Sequence, residues 1–221
     1  MAARKPQRFP VLEELRLPEL DDAGDRAPEP RGRYDGMRFS GVTLESDSLD
    51  GASFSECELA GVTGDAVSLR GARFLETRIS GLNVPTLRGG RALLRDSELL
   101  ESRVGALELH DAEVRATLIA GCKFGWVNLR AAQLSRVVFR DCVFSELDLA
   151  GATLESVSFE NCRVESLQID AARLSHVDLR GLTILGTISD AQSLRGATIS
   201  STQAAELTRV FAARLGISVD D

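Results

Sequence analysis

From Phe39 to Ile199 the chain sets an apolar residue at every fifth position, a register of 33 positions broken only at Gly64, Gly89 and Ser189. Each unit reads small, polar, large apolar, polar, polar, as in Ala52-Ser53-Phe54-Ser55-Glu56, Ala72-Arg73-Phe74-Leu75-Glu76 and Ala152-Thr153-Leu154-Glu155-Ser156. A helix buries positions near every 3.6 residues and a strand every second one, so a strict five predicts a chain that turns a corner after each unit. A second period, of twenty, runs through Ala52, Ala72, Ala92, Ala112, Ala132, Ala152 and Ala172 at the small position. Four units therefore close one coil. Coils stacked at the strand spacing of about 4.8 Å place the large apolar residues on the axis and the small ones beside them under tight steric limits.

Glycine follows the same phase, two residues after the apolar centre at 36, 41, 51, 61, 71, 81, 121, 151, 181, 186 and 196. That is where a corner calls for positive φ, which glycine alone adopts without steric cost. Residues 36–200 predict an all-β solenoid of about eight coils, a rod of about 40 Å at the sheet spacing.

On these units the chain resembles the pentapeptide-repeat family, whose fold is a right-handed quadrilateral β-helix. The resemblance covers about three quarters of the sequence. It implies a non-enzymatic binding protein, and its best understood branch comprises bacterial proteins that bind DNA gyrase or topoisomerase IV and protect it from quinolones or inhibit it, as acidic rods shaped like DNA. The alternative is a structural or interaction scaffold for an unrelated protein partner.

The two ends depart from the register. Residues 1–35 hold five of the six prolines and mixed charge, which predicts a largely mobile arm in which residues 9–20, with Val11, Leu12, Leu15 and Leu17, cap the first coil. Residues 203–215 read as a short helix, started by Ser201 or Thr202 and ended by Gly216, with Ala204, Leu207, Val210, Phe211 and Leu215 on one face. By resemblance this helix joins a homodimer through Leu207, Val210, Phe211 and Leu215; the other reading is a monomeric cap over the last coil near Leu194 and Ile199. Pro85 with Gly89-Gly90 predicts a bulge or loosened corner between Asn83 and Arg91 without an inserted loop.

Composition narrows the chemistry. Aromatic residues make up 5% of the chain and hydrophobic residues 43%, as suits one elongated domain with a linear aliphatic core. No run approaches the length of a membrane span and no signal-type apolar stretch opens the chain, so a cytoplasmic protein is expected. Cys122, Cys142 and Cys162 recur at twenty and stack on one face, whereas Cys57 lies on another. A zinc site needs four convergent ligands, and a straight ladder does not converge, so the thiols read as buried packing residues and no metal or other cofactor is expected. The two histidines, His110 and His176, fall at outward positions, and no phosphate loop or nucleophile motif accompanies them. The chain is not expected to be an enzyme.

Function therefore falls to the outer surface. The net charge is −7, and within residues 36–200 it is −5 from 22 acidic and 17 basic side chains. Glu56, Glu76 and Asp96 occupy matching corner places in three consecutive coils and read as a phosphate-like ladder for a partner protein. Arg103, Lys123 and Arg163 stand in phase on another face, so the rod is not acidic all round, and its net charge argues against direct nucleic-acid binding. Leu118 and Val138 take outward positions on neighbouring coils with Trp126 and Val143 on or just past the next face, which predicts an exposed apolar patch as a second partner-binding surface.

Overall fold

The computed structural model describes residues 9–45, 49–208, 211–212 and 216–218. All strand pairing among them is parallel, and over most of the length it joins residues twenty apart: Phe54 with Phe74, Leu94 with Val114, Val104 with Phe124 and Leu154 with Leu174. The constant offset makes the protein a parallel β-solenoid of about nine turns, with one short α-helix. Side chains at one place in the unit consequently stand in columns along the rod. Phe54 stacks on Phe74 with ring centroids 5.1 Å apart, Phe124 on Phe144 at 5.4 Å, and Phe139 on Phe159 at 4.8 Å. The alanine column from Ala52 to Ala172 is buried beside them.

Three of the four corner columns turn through the left-handed region. One runs Gly36, Glu56, Glu76, Asp96, Ala116, Arg136, Ser156, His176 and Gly196, all with positive φ. The fourth corner turns without positive φ, and strands such as Arg103–Glu108 and Lys123–Asn128 pass straight through it. Gly181 and Gly186 do not take the positive φ expected from their phase; a Cβ on either would lie 2.2 and 2.5 Å from the backbone oxygens of Phe159 and Glu165, so close approach is what demands glycine there.

Pairing begins earlier than the fivefold register. Asp21–Asp22 pairs with Met37 and Arg38, which adds a turn to the eight expected. Tyr34 covers the first coil, its ring 5.1 Å from Phe54 and its hydroxyl accepting from the Glu29 N–H at 2.7 Å. The loosened corner expected near Pro85 is absent: Asn83–Arg88 keeps full register with Arg103–Glu108, and Pro85 sits at the one place in that strand without a paired partner, where no N–H is needed. Gly89 breaks the apolar column harmlessly because Leu69 and Leu109 reach into the space its side chain would fill. The real irregularity lies between Val164 and Ser166, where the pairing with the last long strand, Leu182–Ile188, shifts by one residue.

Candidate functional site

Glu56, Glu76 and Asp96 project from one left-handed corner and are all exposed. Asp96 meets Arg95 at 3.5 Å, whereas no ion pair or hydrogen bond engages the Glu56 and Glu76 carboxylates among the described residues. The coil spacing holds the three in a row about 10 Å long. Further along, the same column continues as Ala116 and Arg136, so the acidic edge is confined to the N-terminal half.

Elsewhere several opposite charges pair between coils. Arg38 pairs with Glu58 at 2.6 Å, Arg140 with Glu160 at 2.7 Å, Arg88 with Glu108 at 3.8 Å and Arg130 with Asp148 at 2.5 Å. The basic column Arg103, Lys123, Val143, Arg163 is exposed and interrupted by the valine. Both histidines are exposed with local partners, His110 with Asp111 and His176 with Ser175, each at 3.0 Å.

The apolar patch expected around Leu118 and Val138 is not open. Val138 is 2% exposed and Leu118 half-buried, because residues 10–16 lie over them. The segment runs along the side of the rod rather than over the first coil: the Phe9 ring sits 5.0 Å from the Arg180 guanidinium, Leu15 meets Arg78 and Glu98, and Asp21 joins the sheet beside Met37. Four coil spacings, about 19 Å, separate the levels of Arg180 and Glu98, and the six peptide steps from Phe9 to Leu15 span at most about 20 Å, so the segment runs lengthwise along the rod. Phe9, Leu12, Leu15 and Leu17 turn partly inward, whereas Val11 is 91% exposed. Trp126 is half-buried in the fourth corner column between Ala106 and Glu146, on the other sheet from Leu118, and Val143 is 43% exposed. The four residues therefore form no single open patch. The groove under the arm escaped sequence reasoning; its signal was the column Arg78, Glu98, Leu118, Val138, which turns from charged to apolar without a break in period.

The cysteines are buried and free. Each donates to the carbonyl two residues before it, Cys122 to Ala120 at 3.3 Å and Cys142 to Arg140 at 3.3 Å, as do Ser102 to Leu100 and Thr117 to Arg115 at 2.8 Å. The thiols thus stand in for small hydroxyl side chains on the inner wall. Among the described residues no cluster of three or more histidine, cysteine or acidic side chains has a metal-binding arrangement, and no helix is long and apolar enough to cross a membrane.

At the far end the helix Ser201–Glu206 starts from Ser200, one residue before the expected start, in a capping box with Gln203. Gln203 also donates to the carbonyls of Leu179 and Leu182 at 2.7 and 2.6 Å, which closes the last coil. Leu207 is buried within the chain and Phe211 half-buried. Leu207 therefore packs within its own chain; Val210 and Leu215 lie outside the described residues.

A family model described as a pentapeptide repeat region matches residues 119–188. Those residues match as a pentapeptide repeat region, and the fivefold register continues on either side of them. Among solved structures it is similar to a trypsin-treated variant of QnrB1, a plasmid-mediated fluoroquinolone resistance protein, at 17% identity over 90% of this chain and 97% of that one, with a TM-score of 0.32. Full-length QnrB1 gives 17% identity over 84% and 100% of the two chains and a TM-score of 0.31. HetL, a pentapeptide repeat protein involved in heterocyst differentiation regulation from the cyanobacterium Nostoc sp. strain PCC 7120, gives 16% identity over 81% and 94% and a TM-score of 0.30. No curated protein matches the chain. At these TM-scores the likeness assigns no role to any residue of this chain.

Proposed function

We propose that this protein is a non-enzymatic rod that binds another protein through its side, and that a bacterial type II topoisomerase is the partner to test first. The observation that carries the reading is the row Glu56, Glu76, Asp96: carboxylates held at coil spacing in consecutive coils, two of them without a cationic partner among the described residues, whereas pairs such as Arg38–Glu58 and Arg140–Glu160 join opposite charges between coils. Such a row suits a basic, DNA-binding surface, since closely spaced negative charges steer and orient a cationic partner. The choice of topoisomerase rests on the family resemblance drawn from the repeat units. A homodimer joined at the C-terminal helix is part of the proposal, with Phe211 rather than Leu207 as its contact, and light scattering against the chain mass of 23.8 kDa decides it.

The test is titration of the purified protein into a supercoiling assay with the host's own gyrase, with and without a quinolone, beside the triple variant Glu56→Ala, Glu76→Ala, Asp96→Ala. Inhibition or drug protection by the wild type and its loss in the folded triple variant supports the reading. No effect from the wild type at large excess discards the topoisomerase and leaves a scaffold for another protein in its place.

A further inference from the structure

The face under residues 9–17 has the features of a peptide-binding groove. Arg78 and Glu98 form an ion pair at 2.8 Å, and both also reach the backbone of one arm residue: the Arg78 guanidinium donates to the Leu15 carbonyl at 2.8 Å, and the Glu98 carboxylate accepts from the Leu15 N–H at 3.4 Å. That clamp reads a peptide unit irrespective of side chain. Beside it Leu118 and Val138 supply an apolar floor, and Glu76, Asp96, Arg136, Arg140 and Glu160 line the walls.

The occupant is held lightly for its length. Residues 9–20 make no strand pairing with the solenoid; their polar contacts to it among the described residues are the two at Leu15, with a cation–π contact at Phe9.

We propose that this face is a docking site for an extended apolar peptide of a protein partner, and that residues 9–17 are a built-in competitor which must be released for the partner to bind. The arm itself supplies the recognition pattern: extended backbone with apolar residues spaced as Phe9, Leu12, Leu15 and Leu17, and one peptide unit gripped by Arg78 and Glu98. Its tether raises its local concentration, so a free peptide of equal intrinsic affinity is excluded until the arm is weakened. The groove shares Glu76 and Asp96 with the acidic row, but its peptide grip lies at Arg78 and Glu98 and is tested without a topoisomerase.

The probe is a synthetic peptide of residues 9–20, titrated by calorimetry or fluorescence anisotropy into the full-length protein and into full-length Leu12→Asp, Leu15→Asp, in which the arm carries charge where it meets the floor. The released variant should bind the peptide at least tenfold more tightly than wild type, and adding Arg78→Ala should abolish the gain. Equal binding by both proteins, or none by either, overturns the proposal. Should the variant fold poorly, hydrogen exchange of the wild type decides: the Leu15 amide should exchange at least a hundredfold faster than the paired amides of the strand Glu113–Ala120. Exchange as slow as that strand marks the arm as a fixed part of the fold and overturns its release.

Discussion

Arg78 and Glu98, twenty residues apart in sequence, meet at 2.8 Å across consecutive coils and together hold both backbone polar groups of Leu15. Their side chains are 28% and 10% exposed, so the pair is largely withdrawn from water. Arg78→Ala strands the Glu98 carboxylate in that setting and frees the Leu15 carbonyl, and should cost about 1–3 kcal/mol after allowing for partial exposure. Glu98→Gln keeps an acceptor for the Leu15 N–H and should cost less. Denaturant titration of both, with the double variant Arg78→Ala, Glu98→Ala, checks this: the double variant should lose less than the sum of its single substitutions.

Phe54 stands between Tyr34 and Phe74, with centroids 5.1 Å away on either side. Truncating it to alanine opens a void in a one-dimensional core that has no neighbouring layer to close it. Phe54→Ala should cost about 3–5 kcal/mol. Because each coil touches only its neighbours, the loss should appear as early exchange of amides before residue 75, with the coils around Phe139 and Phe159 still protected.

The repeat was legible because its cause is local. Each coil restates the same steric requirement, so the Ala52-to-Ala172 column and the apolar centres could be placed before any contact was known. What stayed hidden depends on a segment with no repeat. Leu15 lies 83 residues from Glu98, and nothing in residues 9–20 announces which of four faces it will cover. Val138 therefore read as exposed when it is covered, and Pro85 read as a breaker because its place in the unit, the one that asks for no N–H, is a property of the pairing and not of the residue. Leu207 showed the same ambiguity: an apolar helical stripe looks alike whether it closes its own coil or meets a second chain.

Asp178 gives the rod an acid-sensitive end. Burial opposes its ionisation, but the Arg180 guanidinium at 2.7 and 2.9 Å and the Arg180 backbone N–H at 3.0 Å outweigh that effect and hold the carboxyl below the usual range. A depressed folded pKa means the stabilisation is complete above the unfolded value of roughly 3.9 and is lost as pH falls through the folded value. Asp178→Asn should remove that part of the acid transition and leave stability near neutral pH lower. Melting curves from neutral pH down to pH values below the carboxylate range test it, and an unchanged acid limb in the variant refutes it.

The cysteine ladder should be chemically silent while the coil is closed. The hydrogen bond with Cys122 outweighs an opposing one from Cys162 and, with burial, pushes the Cys142 thiol up to about 12, and Cys162 is raised by the Cys142 thiol and by burial. Reaction needs a thiolate and access; Cys142 and Cys162 lack both near neutral pH, whereas Cys122, lowered by its hydrogen bond with Cys142, is kept silent by burial alone. A disulfide reagent at mildly alkaline pH should label none of the four thiols in the native protein on the timescale of mixing and all four in denaturant. Rapid native labelling of Cys142 would show that the wall opens locally.

Glu56 and Glu76 occupy corners with φ of 50° and 47°, where a side chain is disfavoured by about 1–2 kcal/mol relative to glycine. Other coils solve the same corner with glycine, as at Gly36 and Gly196. Replacing Glu56 and Glu76 by glycine should therefore relieve strain, offset in part by the greater freedom of glycine in the unfolded chain, for a net gain of about 0.5–1 kcal/mol at each position. The same change removes the two carboxylates that have no cationic partner among the described residues. If the acidic edge serves a partner, the double variant should be at once more stable and less able to inhibit or protect gyrase, a combination that misfolding cannot produce. A variant that is more stable and equally active would show that these corners carry acid for solubility alone, and a variant that is less stable would show that the glutamates hold the coil through contacts beyond the corner itself.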